Sequence, residues 1–262
     1  MTDTVFESQL DTIVLDAMDW TRRAGAVLLG YFRKPGLETH TKLNEADIVT
    51  AADKASEAVL VGNIRSRYPE HSILSEESGE SSGTSDWRWV IDPLDGTTNF
   101  RSGLPAFCVS VGIQYKGQTV AGIVFAPYLN EFFHAVRGNG AYLNGEPVRC
   151  ASITRIERAV VSTGFPVDRA TNPDDNTANV LRVLPKVRGL RRLGTAALEI
   201  AYVGAGFLDA HWELALHPWD VCAGLLIAAE GGAVSRSLRE NRGVSVVTAA
   251  PGIFDGLRGL LE

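Results

Sequence analysis

The stretch that decides the fold is residues 87–100, which read Trp87-Arg88-Trp89-Val90-Ile91-Asp92-Pro93-Leu94-Asp95-Gly96-Thr97-Thr98-Asn99-Phe100. It begins with aromatic and β-branched residues of the kind that fill a buried strand. Proline and glycine then end the strand in a turn, and the threonines and asparagine that follow are residue types that commonly begin helices. The stretch therefore predicts a buried strand, a turn and a short helix in immediate succession.

Two carboxylates, those of Asp92 and Asp95, lie at the predicted end of this strand. Clustered carboxylate oxygens suit a hard divalent cation such as Mg2+, and the free N–H groups that open a helix suit a phosphate. A plain turn is the alternative, because Asp-Pro and Asp-Gly are ordinary turn dipeptides. Both halves of a site for metal-assisted phosphoryl transfer nevertheless lie within residues 92–100.

Residues 92–100, Asp-Pro-Leu-Asp-Gly-Thr-Thr-Asn-Phe, resemble the signature of the inositol monophosphatase family of Mg2+-dependent, Li+-sensitive sugar-phosphate phosphatases. The resemblance extends over most of the chain, from Lys42 to Gly232. It implies an α+β fold in which helices and sheets alternate as layers in the order α/β/α/β/α, as in the sugar phosphatases. It also implies a homodimer.

The composition is that of a globular protein, with 45% hydrophobic and 21% charged residues in a chain of 262. This length allows one large domain or two small ones that share a core. The formal net charge of −6 argues against a general nucleic-acid or membrane-surface binder. We therefore expect no membrane association and no direct nucleic-acid binding, while contact with nucleic acid through a protein complex stays open.

The lack of recognisable targeting signals and the pattern of cysteines favour a cytoplasmic protein. The N-terminus lacks a basic segment followed by an apolar core, and no uncharged apolar run is long enough for a membrane span. The three cysteines, Cys108, Cys150 and Cys222, are odd in number and lack metal-binding spacing. Such a set fits reduced thiols in a cytosol.

The chain divides into two predicted halves that form one catalytic unit. The first, residues 1–150, combines helices over 5–34 and 50–68 with antiparallel strands, and we expect a flexible loop over 79–86. The second, residues 151–262, alternates strands and helices.

The segment before the second predicted helix carries further candidates. Thr50 or Asp47 can cap that helix, and Asp53 then lies favourably in its positive first turn. The resemblance implies a further role for Asp53, a hydrogen bond to Thr97. Lys42 keeps the family's spacing and would contact substrate, although a solvated lysine is the alternative.

Two more acidic segments match the family. Glu76 lies in the first of these segments, after Ser75, which replaces the family's usual glycine. The alternative for Glu76 is a solvated charge, because adjacent acids on a surface turn usually have no other role. Asp220 lies in a segment, residues 219–224, that reads Trp-Asp-Val-Cys-Ala-Gly, and its alternative role is that of a helix-dipole partner.

The resemblance implies a complete site. The site would bind two or three Mg2+ ions, Mn2+ could replace them, and Li+ would inhibit the enzyme. The metal ligands would be Glu76, Asp92, Asp95, Asp220 and the carbonyl of Leu94. A metal-activated water would attack phosphorus, and the catalytic residues would be Asp53, Thr97 and Glu76. The expected substrate contacts are Lys42, Asp95, Gly96, Thr97, Gly194, Thr195, Ala196 and Glu213.

The function implied is Mg2+-dependent hydrolysis of a small polyol or sugar phosphate monoester, with inositol 1-phosphate as the favoured substrate. Glu213 and the compact length favour a polyol over a nucleotide. Histidinol phosphate and fructose 1,6-bisphosphate are the alternative substrates. A different class of function, that of an interaction partner in RNA or transcription complexes, also stays open because one bacterial relative has it.

Overall fold

The computed structural model describes residues 3–36, 39–41 and 48–261. The helices within these ranges are α1 (Asp3–Tyr31), α2 (Ala51–Arg67), α3 (Thr97–Arg101), α4 (Thr177–Val183), α5 (Ala196–Gly204), α6 (Pro218–Glu230) and α7 (Pro251–Leu261). None of them combines the length and the apolar character that crossing a bilayer requires.

The strands fall into three groups along the chain. The first pair is β1 (Thr39–Thr41) and β2 (Ile48–Thr50). The next group is β3 (Ser72–Ser75), β4 (Gly79–Ser81), β5 (Trp87–Asp95), β6 (Cys108–Tyr115), β7 (Gln118–Ala126), β8 (Glu131–Val136), β9 (Ala141–Leu143) and β10 (Glu146–Val148). The last group is β11 (Val160–Thr163), β12 (Gly189–Arg191), β13 (Ala210–Leu216), β14 (Val234–Arg239) and β15 (Val244–Ala249).

Two of these groups form the main sheets. The larger sheet has the strand order β10-β9-β8-β7-β6-β5-β3-β4 and is antiparallel except between β3 and β5. The smaller sheet has the order β12-β11-β13-β15-β14, in which β11 runs parallel to both of its neighbours. The short strands β1 and β2 pair with each other.

Helices cover both faces of each sheet. α1 and α2 pack on the outer face of the larger sheet, and α7 packs on the outer face of the smaller one, where it also contacts α4. α5 and α6 lie between the two sheets and contribute side chains to the apolar clusters on both sides. The expected α/β/α/β/α layering is confirmed.

The ends of several elements differ from the prediction. The strand at residues 87–91 does not stop at Pro93 but continues to Asp95, because a one-residue irregularity accommodates the proline. Residues 79–81 of the expected loop form β4, which pairs with β3. α1 ends at Tyr31, short of the predicted residue 34, and Arg33 then adopts a positive φ of 58°.

The irregularity in β5 is a bulge that decides which way the aspartates face. Asp92 pairs with Ser110 and Asp95 with Cys108, so three residues of β5 advance against two of β6. Before the bulge, Ile91 belongs to the core beneath α1 and α2; after it, Leu94 joins the same core. Asp92 and Asp95, which an unbroken strand would point to opposite faces, therefore share the face toward α5 and α6.

α6 lies very close to the larger sheet because glycines face it. Gly112 and Gly122 are register partners on β6 and β7. A Cβ at Gly112 would lie 2.3 Å from the Cys222 Sγ, and one at Gly122 would lie 2.6 Å from the carbonyl oxygen of Ala223. The glycine pair thus fixes the depth at which α6 and its acidic first turn sit.

We expect Gly122→Ala to destabilise the protein by about 1–3 kcal/mol, because the added methyl meets backbone that cannot move aside. Gly62→Ala is the matched control: Gly62 is exposed on α2, with nothing within 4 Å of its added Cβ. There alanine should stabilise the helix by roughly 0.5–1 kcal/mol. Urea denaturation of both variants measures this, and equal effects would contradict the close approach of α6.

Candidate active site

The end of β5 meets the first turns of α3, α5 and α6, and the candidate side chains gather there. Asp92 is 2% exposed, and its Oδ1 accepts a hydrogen bond of 3.0 Å from the Leu94 N–H. Burial raises the pKa of Asp92 well above its ordinary value, and the charges of Glu76, Asp95 and Asp220 raise it further. These four carboxylates therefore form one electrostatically coupled group.

Asp95 is held from the side of α5. Its Oδ2 accepts hydrogen bonds from the Thr195 hydroxyl at 2.7 Å and from the Ala197 N–H at 2.8 Å. Burial raises the pKa of Asp95 to about 6, although these two hydrogen bonds oppose the rise. Thr195 is the N-cap residue of α5 but makes no side-chain cap, because its hydroxyl donates to Asp95.

Asp220 occupies the first turn of α6, opposite the β5 bulge. Its Oδ2 accepts a hydrogen bond of 2.7 Å from the His217 N–H, which closes the start of the helix. Burial raises the pKa of Asp220 well above its ordinary value, and the charge of Asp95 is the next cause. Asp220 therefore lies both in the first turn of α6, where the helix dipole favours a negative charge, and in the acidic group.

The buried Asp53 and the partly buried Thr97 form a pair beside this group. The Thr97 hydroxyl lies 3.0 Å from Asp53 Oδ1 and also 3.0 Å from the Leu94 carbonyl oxygen. Asp53 Oδ2 accepts from the N–H and the hydroxyl of Thr50, at 2.8 and 2.6 Å. Burial raises the pKa of Asp53 despite these donors. Capping of α2 and contact with Thr97 therefore coexist.

The short helix α3 does not begin as predicted. Its N-cap is Gly96, with a φ of 90°, and Thr97 lies inside the first turn. A Cβ at Gly96 would lie 3.0 Å from the Ala106 carbonyl oxygen, so both its conformation and its surroundings require glycine. The turn leaves the Thr97 hydroxyl pointing at Asp53 instead of capping the helix.

Two residues that the sequence analysis did not single out position the segment over 193–195. The Asn99 side-chain amide donates to the carbonyls of Ala106 and Leu193, at 2.7 and 2.6 Å. The buried carboxylate of Glu199 accepts from the N–H groups of Leu193 and Gly194, each at 3.1 Å. Asn99 lies inside the signature motif, whereas only the tertiary fold brings Glu199 to its place.

Glu213 approaches the acidic group from β13. Its side chain is 12% exposed, and its charge contributes to the raised pKa of both Asp95 and Asp220. A Cβ at Gly164 would lie 1.9 Å from Glu213 Oε1, so the carboxylate packs directly on that backbone. Lys42 and Asp47 lie outside the described residues.

The donor set suits a hard cation in its chemistry, although the side chains do not close around one. Across residues 3–36, 39–41 and 48–261, no three Asp, Glu, His or Cys side chains are arranged tightly enough to enclose a metal ion. Asp95 and Asp220 instead turn an oxygen toward neighbouring N–H donors. Burial and neighbouring negative charges raise the pKa values of these carboxylates, and positive charge among them would stabilise their ionised forms.

A layered α/β/α/β/α fold with an acidic group at the strand end between its sheets defines the sugar-phosphatase class of folds. The model of the inositol monophosphatase family matches residues 9–254, so this chain belongs to the inositol monophosphatase family. Members of that family are phosphatases and are generally Mg2+-dependent.

Curated relatives and solved structures agree with this assignment. The chain is 42% identical over 215 residues to Nus factor SuhB of Salmonella typhimurium, covering 81% of this chain and 80% of the relative. It is similar to the inositol monophosphatase structure from Anabaena, with a TM-score of 0.87, 36% identity and coverage of 97% and 96%. The extragenic suppressor protein suhB of Bartonella henselae superposes with a TM-score of 0.88, at 32% identity and coverage of 96% and 98%.

We expect the metal-free protein to become more stable as the pH falls from 7.5 to 5.5. A carboxyl group whose pKa is higher in the folded chain than in the unfolded chain destabilises the fold when it is ionised, and protonation removes that cost. The pKa of about 6 for Asp95 places the change in this range. Urea denaturation in EDTA measures it, and stability that falls steadily with pH would contradict the coupled group.

Removing the charge of one carboxylate in the acidic group should also stabilise the metal-free protein at pH 7. Asp92→Asn keeps an acceptor for the Leu94 N–H and removes a charge, so we expect stabilisation in EDTA by on the order of 1 kcal/mol. Added Mg2+ should stabilise the native protein but not this variant. Asp11→Asn, on the exposed face of α1, is the control and should respond to Mg2+ as the native protein does.

Proposed function

We propose that this protein is a Mg2+-dependent phosphatase that hydrolyses a small polyol phosphate monoester, with inositol 1-phosphate as the favoured substrate. The observation that supports this most directly is the convergence of Asp92, Asp95 and Asp220, whose pKa values are all raised by burial and by the negative charges of neighbouring carboxylates. Such a group favours a cation, and the helix starts beside it favour an anion.

The metal ligands in this proposal are Glu76, Asp92, Asp95, Asp220 and the Leu94 carbonyl. They would hold two or three Mg2+ ions, with Mn2+ as a substitute and Li+ as an inhibitor. Bound Mg2+ would supply charge neutralisation for the phosphate and lower the pKa of a coordinated water. Glu76 would thereby serve both as a ligand and as a catalytic residue.

Thr97 and Asp53 would activate the attacking water. Because the Thr97 hydroxyl has one proton, donation to Asp53 Oδ1 leaves its oxygen free to accept a hydrogen bond from water. That bond would orient the water toward phosphorus. Positioned proton acceptance of this kind contributes roughly 10²–10⁴-fold to a rate.

The phosphate and the alcohol would bind on different sides of this pair. The N–H groups of Gly96 and Thr97 would bind phosphate oxygens at the start of α3. Glu213, Asp95 and the segment from Gly194 through Thr195 to Ala196 would face the hydroxyl groups, and Lys42 would contact the substrate as well. Both halves of the chain, residues 1–150 and 151–262, supply ligands, so we expect them to act as one unit, assembled as a homodimer.

Phosphate release from a panel of esters tests the substrate. The panel is myo-inositol 1-phosphate, histidinol phosphate, fructose 1,6-bisphosphate and 3'-phosphoadenosine 5'-phosphate, each with Mg2+, with EDTA, and with Mg2+ plus Li+. We expect Mg2+-dependent and Li+-sensitive release, fastest from the inositol ester. Preference for another member would replace the favoured substrate, and release that persists in EDTA would overturn the metal dependence.

A change at Thr97 tests the water-activating pair. We expect Thr97→Val to lower kcat by about 100-fold or more with little change in KM, because the backbone N–H groups that bind phosphate remain. Thr97→Ser retains the hydroxyl and is the matched control. Steady-state kinetics on the best ester measure both variants, and similar kcat values for the valine and serine variants would remove Thr97 from the mechanism.

A second candidate function comes from the names of the curated relatives. Proteins that are 41–44% identical to this chain are called Nus factor SuhB, which favours a role as a partner in a transcription complex. Affinity capture from a lysate of the native organism, with and without ribonuclease, tests it. Recovery of RNA polymerase subunits would support this role, and a phosphatase isolated without partners would count against it.

A further inference from the structure

His211 occupies a position behind Glu213 that the proposed function does not use. It lies on β13 with 0% exposure, and its register partner on the parallel strand β11 is Ser162. The Ser162 hydroxyl and His211 Nδ1 are 2.9 Å apart. Because side chains two residues apart share a strand face, His211 and Glu213 project on the same side of the sheet.

The other ring nitrogen faces Glu213. His211 Nε2 lies 3.4 Å from Glu213 Oε2 and, among the described residues, makes no hydrogen bond. This distance is longer than a good N–H···O bond, whose length is about 2.7–3.2 Å. Catalytic hydrogen bonds are often long before substrate binds and shorten in the complex, so this buried nitrogen is placed to complete its bond when Glu213 engages a ligand.

The Glu213 carboxylate favours a proton on the ring nitrogen that faces it, because an ionised carboxylate can only accept a hydrogen bond. When the ring is neutral, the Ser162 hydroxyl can donate to Nδ1, which leaves the proton on Nε2. When the ring is charged, both nitrogens carry protons. Burial lowers the pKa of His211, but contact with Glu213 and the charges of Glu199, Glu213 and Asp95 outweigh this and raise it. In either state an N–H is directed at Glu213.

Gly164 limits the Glu213 carboxylate from another direction. A Cβ at this glycine would lie 1.9 Å from Oε1 and 2.3 Å from Oε2 of Glu213. The carboxylate is therefore enclosed by backbone at Gly164 and by the imidazole of His211. Its charge helps to raise the pKa values of Asp95 and Asp220 in the acidic group.

We propose that His211 is a positioning residue for substrate specificity: it donates from Nε2 to Glu213 and holds that carboxylate in the orientation that accepts the hydroxyl groups of a polyol phosphate. The inference rests on the proposed function, because it assigns Glu213 to the alcohol part of the substrate. His211 itself would touch neither the substrate nor the phosphate.

Two substrates separate this role from a structural one. Myo-inositol 1-phosphate offers hydroxyl groups to Glu213, whereas phenyl phosphate offers none on its alcohol part. We expect His211→Phe to raise KM for the inositol ester and to lower the ratio of kcat/KM for inositol ester over phenyl phosphate by about tenfold, the effect of losing a hydrogen bond to a charged group. His211→Gln keeps an N–H donor near the position of Nε2 and should retain most of the ratio.

Two controls make the measurement specific. His71→Phe exchanges another buried histidine, one that accepts a hydrogen bond of 3.1 Å from the Trp89 indole in the other half of the chain. It should affect both esters equally. Glu213→Gln should lower the ratio by itself. Adding His211→Phe to that variant should lower the ratio no further, because the effects of two substitutions that remove the same contact are not additive.

The outcomes are distinct. A ratio for His211→Phe that matches His71→Phe, or a further additive loss in the double variant, would overturn the role of His211. If Glu213→Gln lowers the ratio and His211→Phe does not, the polyol-phosphatase function stands and only this inference fails. If the native protein hydrolyses both esters equally well and Glu213→Gln leaves the ratio unchanged, the proposed function itself fails.

Discussion

The close approach of the carboxylates of Asp92, Asp95 and Asp220 is the constraint that the surrounding packing has to satisfy. Burial and the negative charges of neighbouring carboxylates raise all three pKa values, so the fold holds these groups together against their preference for separation and for water. Packing supplies the restraint: α6 is seated on a pair of glycines, and α5 donates hydrogen bonds to Asp95. In the proposed function, a site held this way is preorganised for a cation and a phosphate, and this preorganisation lowers stability when neither is bound.

The acidic group also explains why the chain is built as two sheets with helices between them. The larger sheet contributes Asp92 and Asp95, whereas Asp220 comes from a helix between the sheets and Glu213 from the smaller sheet. The layer formed by α5 and α6 packs against both sheets and so brings these contributions together. In the proposed function, the site therefore depends on the packing of α5 and α6 as much as on any one motif.

The sequence predicted those features that depend on local residue types. Aromatic and β-branched residues indicated β5, and the spacing of acidic segments within a family pattern indicated Asp92, Asp95 and Asp220. Features that depend on distant contacts could not be predicted. Thr195 looks like a cap, yet its hydroxyl bonds to Asp95, 100 positions away in the chain. Glu199 and His211 have no local signal, and the short strands β4, β10 and β14 are too brief or too exposed for a clear alternation.

The bulge in β5 has a consequence for how such motifs are recognised. Along a regular strand, side chains separated by an odd number of residues point in opposite directions, so two aspartates three positions apart should be unable to share a ligand. The inserted residue changes this parity, and it does so between the two aspartates. The three-residue spacing of the two aspartates thus brings them to one face only in combination with the bulge. A homologous chain that kept the three-residue spacing but lost the bulge would keep every functional group, yet its second carboxylate would face the apolar core beneath α1 and α2.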